Sequence, residues 1–360
     1  MGSVGSKSTS LVPPDPNWGR PADHADDLKD TRQPTDLVFQ AWAYCKAKPS
    51  LVPPTGKAEI ERQNSLSWRG RQAWMELNCG DDSFFLSEER NVIGIADGVG
   101  GWRSKGVDPS LFANALMGNS KLFCDTHRSE NDPEVIAQAG YAKLLRDAVV
   151  DKGSSTVCCA TLMPVKDGRT FLDVLNLGDS GCMVLRNGES IFKAEETTHR
   201  FNFPRQLTVM PMMHLNVRKL DNLSSASRGI VNVQRGDVVV MGTDGLFDNR
   251  FDHQLIKDFA PFCSSTKFAA KKWFGISFGA SNKPDINSPL TSSVKSEEDA
   301  IRLAQASVEA AYTTSQSRTE NTPWSIGFTE ATTEIAKGGK PDDITVLVAR
   351  VVARADLEQN

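Results

Sequence analysis

From about residue 71 onward the chain alternates short apolar runs with turn residues. Val92-Ile93-Gly94-Ile95-Ala96, Ser155 to Met163, Phe171 to Leu177, Met183 to Arg186, Val238 to Met241 and Ile344 to Val352 each read as a β-strand. Helical spacing separates some of them, over Pro109 to Cys124, Pro133 to Val150 and Glu297 to Tyr312. In the last of these, Ile301, Ala304, Val308 and Ala311 share one face. Two polar stretches, Asn216 to Arg228 and Gly275 to Ser296, read as loops or flaps. There is no internal repeat. Strands in clusters, with helices between the clusters, indicate a mixed α+β domain and not strict βαβ alternation.

The segment before this domain differs in texture. Pro13, Pro14, Pro16, Pro21, Pro34, Pro49, Pro53 and Pro54 interrupt it, and only Asp36 to Ala47 suggests an element, a short helix anchored by Leu37, Phe39, Ala41 and Trp42. The chain is therefore expected to comprise a partly ordered extension (1–70), one domain (71–354) and a short tail (355–360). With 39% apolar and 24% charged residues, its 360 residues suffice for a sizeable core. A net charge of −4 gives nucleic acid nothing to bind, and no apolar run approaches the ~20 residues of a membrane span. The seven cysteines show neither Cys-x-x-Cys nor metal-ligand spacing with histidine, so the reading is a reduced environment with thiols acting as small buried groups. Cys158 and Cys159 adjoin in a strand, point to opposite faces and cannot pair with each other.

Chemistry is concentrated where apolar strands end in aspartate. Ile95-Ala96 runs into Asp97-Gly98, Leu177-Gly178 into Asp179-Ser180, and Gly242-Thr243 into Asp244-Gly245; Asp342-Asp343 precedes Ile344, and Asp81-Asp82 precedes Ser83-Phe84-Phe85-Leu86. Any one of these is an ordinary turn, because aspartate bonds nearby backbone amides. Turn chemistry does not call for aspartate at the end of strand after strand, however. Converging carboxylates need cations to offset their repulsion, and an all-oxygen set without histidine or cysteine suits a hard ion such as Mg²⁺ or Mn²⁺.

At these residues the sequence resembles the metal-dependent protein serine/threonine phosphatases of type 2C, in particular the small branch related to mitochondrial and chloroplast members. The matching segments are Gly80-Asp81-Asp82, Ile95 to Trp102, Ser154-Ser155-Thr156, Leu177 to Gly181, Gly242 to Asn249 and Gly339 to Val346, with Phe201 to Pro204 and Gln206-Leu207 also similar, all in the family's order. The resemblance implies two antiparallel β-sheets packed as a sandwich and flanked by helices, with two or three metal ions at one end. It implies that Asp97 bridges two ions, that the Gly98 carbonyl and Asp81 complete one site, and that Asp244 and Asp342 hold the other. Asp179 would share a third ion with Asp244, Asp82 would bind through ordered water, and Asp343 would stand behind the ligands. Phosphoserine and phosphothreonine in proteins would be hydrolysed by hydroxide generated at the paired ions, with Asp97 and Asp244 acting through metal-bound water and no phosphoenzyme.

Two departures from the family stand out. Leu77 occupies the place of an arginine that grips phosphate, and Val99 that of a histidine proposed as leaving-group acid. Arg69, Arg71 and Arg103 are candidate replacements for the first, and His199 for the second. Trp102 and Trp273 could touch substrate, although packing is their default. The rival within the family is an inactive member that scaffolds phosphoproteins, which would normally have lost a bridging aspartate. Gly178-Asp179-Ser180-Gly181 resembles a serine-protease nucleophile segment, yet no histidine is suitably placed, and Gly98-Val99-Gly100-Gly101 fails the nucleotide-loop fingerprint. Gly2 with Ser6 fits N-myristoylation, which alone gives weak, reversible membrane residence, so a cytoplasmic protein peripheral on membranes is expected. Asp15, Asp23, Asp26, Asp27 and Asp30 argue against a mitochondrial transit peptide.

Overall fold

The structure is a computed structural model that describes residues 37–49, 77–165, 168–210, 220–263 and 297–357. Its strands are β1 (Leu37–Lys46), β2 (Asp82–Ser87), β3 (Val92–Asp97), β4 (Gly153–Ser155), β5 (Val157–Pro164), β6 (Thr170–Leu177) and β7 (Gly181–Arg186). They continue with β8 (Glu189–Lys193), β9 (Thr198–Arg200), β10 (Phe203–Pro204), β11 (Leu207–Val209), β12 (Ser227–Val233), β13 (Val238–Gly242) and β14 (Ile344–Ala353). The helices are α1 (Pro109–Thr126), α2 (Pro133–Asp147), α3 (Asp244–Phe247), α4 (Asp252–Phe259), α5 (Glu297–Ser315), α6 (Pro323–Thr332) and α7 (Arg354–Leu357).

Two five-stranded sheets form the centre, in the orders β1-β14-β13-β7-β8 and β12-β6-β5-β3-β2, with antiparallel pairing throughout. Strand periodicity sorts the side chains into three apolar layers. Phe84, Ile93, Ile95, Cys158, Ala160 and Val174 of one sheet meet Phe39, Ala41, Val184, Val239, Met241 and Leu347 of the other between the sheets. The alternate residues Val238, Val240, Val346 and Val348 face Leu255, Phe259, Ala304 and Val308 of α4 and α5. On the far side Phe85, Val92, Val157, Cys159 and Leu175 face Phe112, Leu116, Ile136 and Leu144 of α1 and α2. Because both faces of each sheet are covered, the strands read in sequence as continuous apolar runs. The result is a four-layered α+β sandwich, as the sequence led us to expect. Local chemistry starts the first two helices: Asp108 and Asp132 cap them by accepting from Ser110 N–H (3.1 Å) and Glu134 N–H (2.8 Å), and proline follows each cap.

Three readings are corrected. The helix expected over Asp36 to Ala47 is instead strand β1, paired with β14 along ten residues from Leu37↔Ala353 to Lys46↔Ile344. Phe39, Ala41, Ala43 and Cys45 point into the sandwich, while Trp42 points to the helix layer. A strand buried on both faces has no polar side to reveal its period of two, and its apolar run mimics a helix stripe. The assembled domain thus draws an edge strand from the segment read as an extension. Second, Asn216 to Arg228 is not wholly loop: of its described part, Leu223–Ser225 is a 3₁₀ turn and Ser227 opens β12; the other polar stretch, Gly275 to Ser296, lies outside the described residues. Third, Cys45 and Cys79 form a disulfide, with Cα atoms 5.0 Å apart, because β1 ends beside the turn that leads into β2. Cys124, Cys158, Cys159 and Cys182 are free and buried, and Cys158 and Cys159 enter different apolar layers, as their adjacency in a strand implies.

Candidate metal centre

At one end of the sandwich the β2–β3 register sets Asp82 directly opposite Asp97. Facing carboxylates on adjacent strands repel, so something must hold them. Asp82 is buried, and its Oδ2 accepts from Thr243 Oγ1 and Thr345 Oγ1, each at 2.8 Å. Both hydroxyls belong to the opposite sheet, where β13 ends and β14 begins, so the two sheets share this one carboxylate. Burial and then the Asp343 charge push Asp82 well above the usual carboxylate range, against the pull of the two hydroxyls. Asp97 is raised as well, first by burial and then by the charges of Asp244, Asp82, Asp342 and Asp179. Those four come one from each of the other four strand-end segments, so the separate sequence segments come together in space.

Asp244 opens α3, directly after β13. An alanine Cβ at Gly245 would lie 2.0 Å from the Asp343 carbonyl oxygen, so only glycine lets the two acidic turns approach this closely. Asp179 follows Gly178, whose φ of +113° turns the chain out of β6. Burial and the Asp244 charge raise Asp179. The Asp81 carbonyl accepts from Gly98 N–H (3.1 Å), and Asp81 N–H donates to the Asp343 carboxylate at Oδ2 (3.1 Å), so the backbone of Asp81 ties three of the motifs together.

Two ammonium groups and a guanidinium stand among the acids. Lys340 contacts Asp244, with Asp248 Oδ2 at 2.8 Å and Asp342 Oδ2 at 3.4 Å. Burial is the largest single influence on Asp244 and acts to raise it, yet the charge and hydrogen bond of Lys340, a hydrogen bond with Asp97 and the Lys48 charge together hold this carboxyl below its ordinary value. Asp248 is pushed up to about 7, by burial before all else. Lys48, just past β1, lies 2.8 Å from Asp342 Oδ1, 3.1 Å from Asp343 Oδ2 and 3.6 Å from Asp81 Oδ2. Arg103 engages both Asp81 oxygens through Nη2 and Nε.

The donor set suits divalent cations. Asp82 Oδ1, Asp179 Oδ1 and Asp244 Oδ1 are buried and have no hydrogen-bond partner, an arrangement costly unless something charged meets them. The charges that bear on Asp97 all come from aspartates, and such an all-oxygen set favours a hard ion. Among the described residues no three acidic, histidine or cysteine side chains are already grouped as a ready-made cage; Lys48 and Lys340 stand between them instead.

Other candidates separate out. His199 is half-exposed and pairs with Asp221 Oδ2 at 2.8 Å. Ser180 is fully buried and bonded to Thr156 Oγ1 at 2.8 Å, out of reach of any substrate. Trp102 packs inside, donating to Ser154 Oγ at 2.6 Å. Gly2, Arg69, Arg71 and Trp273 lie outside the described residues. Lys48, Lys340, Asp248, Thr243 and Thr345 were not singled out from sequence. Lys340, Asp248 and both threonines sit inside the matched segments, where a polar residue among acids was the available signal; Lys48 sits among prolines and offered none.

No family model matches the chain. A curated relative, the protein phosphatase PTC7 homolog fig of Drosophila mojavensis, is 34% identical over 275 residues, 76% of this chain and 78% of its own length. The probable protein phosphatase 2C 26 of Arabidopsis thaliana is 31% identical over 278 residues, again 76% of this chain and 78% of its own length. Among solved structures, the X-ray structure of the photosystem II phosphatase PBCP has a TM-score of 0.60 at 24% identity, covering 87% of this chain and 98% of that one. This last likeness is one of fold.

Proposed function

The chain belongs to the PTC7-like members of the type 2C protein phosphatases and is a metal-dependent protein serine/threonine phosphatase; we propose that its strand-end aspartates hold two divalent cations, Mg²⁺ or Mn²⁺, with room for a looser third. The observation that carries this reading is the Asp82–Asp97 pair beside Asp244, with buried, partnerless oxygens on Asp82 and Asp244. Asp97, Asp81 and the Gly98 carbonyl would hold one ion, and Asp97, Asp244 and Asp342 the other. Asp179 would share the third with Asp244. Bound ions of this kind supply Lewis acidity toward a phosphate oxygen and lower the pKa of water at neutral pH.

The chain's own part is placement. Thr243 and Thr345 fix one oxygen of Asp82 and leave the other free to orient water. Asp343 accepts from the backbone of Lys48 (2.9 Å) and of Asp81 (3.1 Å), which sets the height of the Asp81 loop. Asp248 gives Lys340 a second carboxylate to rest on, so that the ammonium has somewhere to stay when Asp244 is otherwise engaged. The full set of core aspartates favours an active enzyme over a phosphoprotein scaffold. The test is exhaustive chelation followed by assay on a phosphothreonine peptide. Turnover should vanish and return with Mn²⁺; undiminished hydrolysis in chelator would sink the reading.

A further inference from the structure

We propose that Lys48 and Arg103 form the clamp for the substrate phosphate, and that the same two side chains neutralise Asp81, Asp342 and Asp343 until divalent cations take over that role. This rests on the metal-dependent phosphatase reading above. The two cations reach the site from separate elements. Lys48 follows β1, and Arg103 lies in the 3₁₀ turn Gly100–Lys105 that follows β3. Both converge on the Asp81 carboxylate, which is itself buried. Lys48 additionally faces Asp342 at 2.8 Å and Asp343 at 3.1 Å, so one ammonium serves three acids.

These cations stand at the mouth of the site and not within it. The Lys48 side chain retains 31% exposure and that of Arg103 49%, against 1% for Asp81 and 17% for Lys340. Beside them the wall is glycine. A Cβ at Gly100 would have only Asp81 Oδ2 and Lys48 Nζ near it, each at 3.6 Å, and a Cβ at Gly101 would meet nothing within 4 Å. Space for a ligand therefore adjoins the two positive groups.

Charge decides what that ligand is. With Asp81 and Asp342 spent on divalent ions, Lys48 and Arg103 lose most of what holds them inward. A phosphate dianion arriving at the ions is then the strongest acceptor in reach, and a guanidinium with an ammonium suits it by fork and by point charge. Lys48 can turn without disturbing the fold, since its backbone N–H stays anchored on Asp343 Oδ1 at 2.9 Å. Lys340, deeper and shared by Asp244, Asp248 and Asp342, remains a resident counter-ion.

The experiment is calorimetric titration of inorganic phosphate into Mn²⁺-loaded wild type, Lys48→Met, Lys48→Arg and Arg103→Gln, with Mn²⁺ affinity measured on each. Loss of one charge-assisted contact predicts phosphate binding about tenfold weaker in Lys48→Met and in Arg103→Gln. Lys48→Arg should recover most of it, and Mn²⁺ affinity should be unchanged or tighter once a competing cation is gone. Arg103 is half-exposed, so its variant remains informative even where Lys48→Met folds poorly. Wild-type phosphate affinity in Lys48→Met and Arg103→Gln, with phosphopeptide turnover intact in the wild type, overturns the clamp and leaves the phosphatase reading standing. A loss of phosphate binding that only follows a loss of Mn²⁺ overturns it too. A loaded wild type that neither binds phosphate nor turns over phosphopeptide overturns both.

Discussion

Without metal, the acid cluster should make the protein lose stability as pH rises across the neutral range. Asp343 has a folded-state value near 6 and Asp248 one near 7, both far above the ordinary 3.8. A carboxyl whose folded pKa is raised contributes stability that is complete below its unfolded value and is lost as pH climbs through the folded one. Between pH 5 and pH 8, Asp248 titrates across two pH units of that gap and Asp343 across one. At about 1.4 kcal/mol per unit, the combined loss is ~4 kcal/mol. Asp82, Asp97, Asp179 and Asp342 are raised too and act in the same direction. Asp244, which is lowered, would cost stability only at acid pH, and Lys340, which is raised, only at strongly alkaline pH. Urea denaturation in chelator at pH 5, 6, 7 and 8 reads the effect, with the midpoint falling by roughly 1 M or more. Asp248→Asn should remove most of the fall between pH 6 and pH 7, and saturating Mn²⁺ should restore the midpoint at pH 8. A midpoint that is flat or rises from pH 5 to pH 8 without metal would refute the reasoning.

Asp97→Asn and Asp244→Asn should each abolish turnover on phosphothreonine peptide while the metal-free proteins keep a cooperative thermal transition: the first neutralises a carboxylate that its neighbours repel, and the second takes one partner from Lys340, which keeps Asp248 and Asp342; variants that cannot be purified folded would speak for a structural role instead. Gly245→Ala should cost about 1–3 kcal/mol in denaturant unfolding and weaken Mn²⁺ binding, because its Cβ would collide with the Asp343 carbonyl; wild-type values for both would show that the two turns can part freely. His199→Gln should leave phosphopeptide kcat nearly unchanged, as His199 is engaged with Asp221. A hundredfold loss confined to phosphopeptide, with aryl phosphate spared, would make it the leaving-group acid.

The strands that end in aspartate were legible because two signals coincide there: an apolar run of strand length and an abrupt charge. Thus β3, β6, β13 and β14 were found with their acids attached. β1 was lost because Phe39, Ala41, Trp42, Ala43 and Cys45 are all buried, on both faces, and offer no alternation. β12 shows the converse. Its Arg228, Ile230 and Asn232 are exposed in strict alternation, but the strand emerges from a polar stretch and its outward Ile230 hides the pattern. Lys48 could not be read at all, because its partners Asp342 and Asp343 lie 294 and 295 positions along the chain. Spacing reveals ligands on one turn; it does not reveal a cation delivered by a strand from the other end of the sequence. The Cys45–Cys79 bond was hidden for the same reason.

The place of β1 at the edge of its sheet bears on how this protein tolerates being cut. Composition alone invites removal of the first 70 residues, yet a fragment beginning at residue 71 would lose the ten-residue strand that covers the edge of β14. Val346 through Val352 would then present unpaired amides and carbonyls to solvent, an apolar edge of the kind that recruits strands from neighbouring molecules. The groove vacated by Phe39 and Trp42 would lie open on both sides of that edge. Cys79 would be left a free thiol, and Asp342 and Asp343 would face each other without Lys48. Insolubility of such a fragment would accordingly say nothing about the catalytic competence of the intact chain.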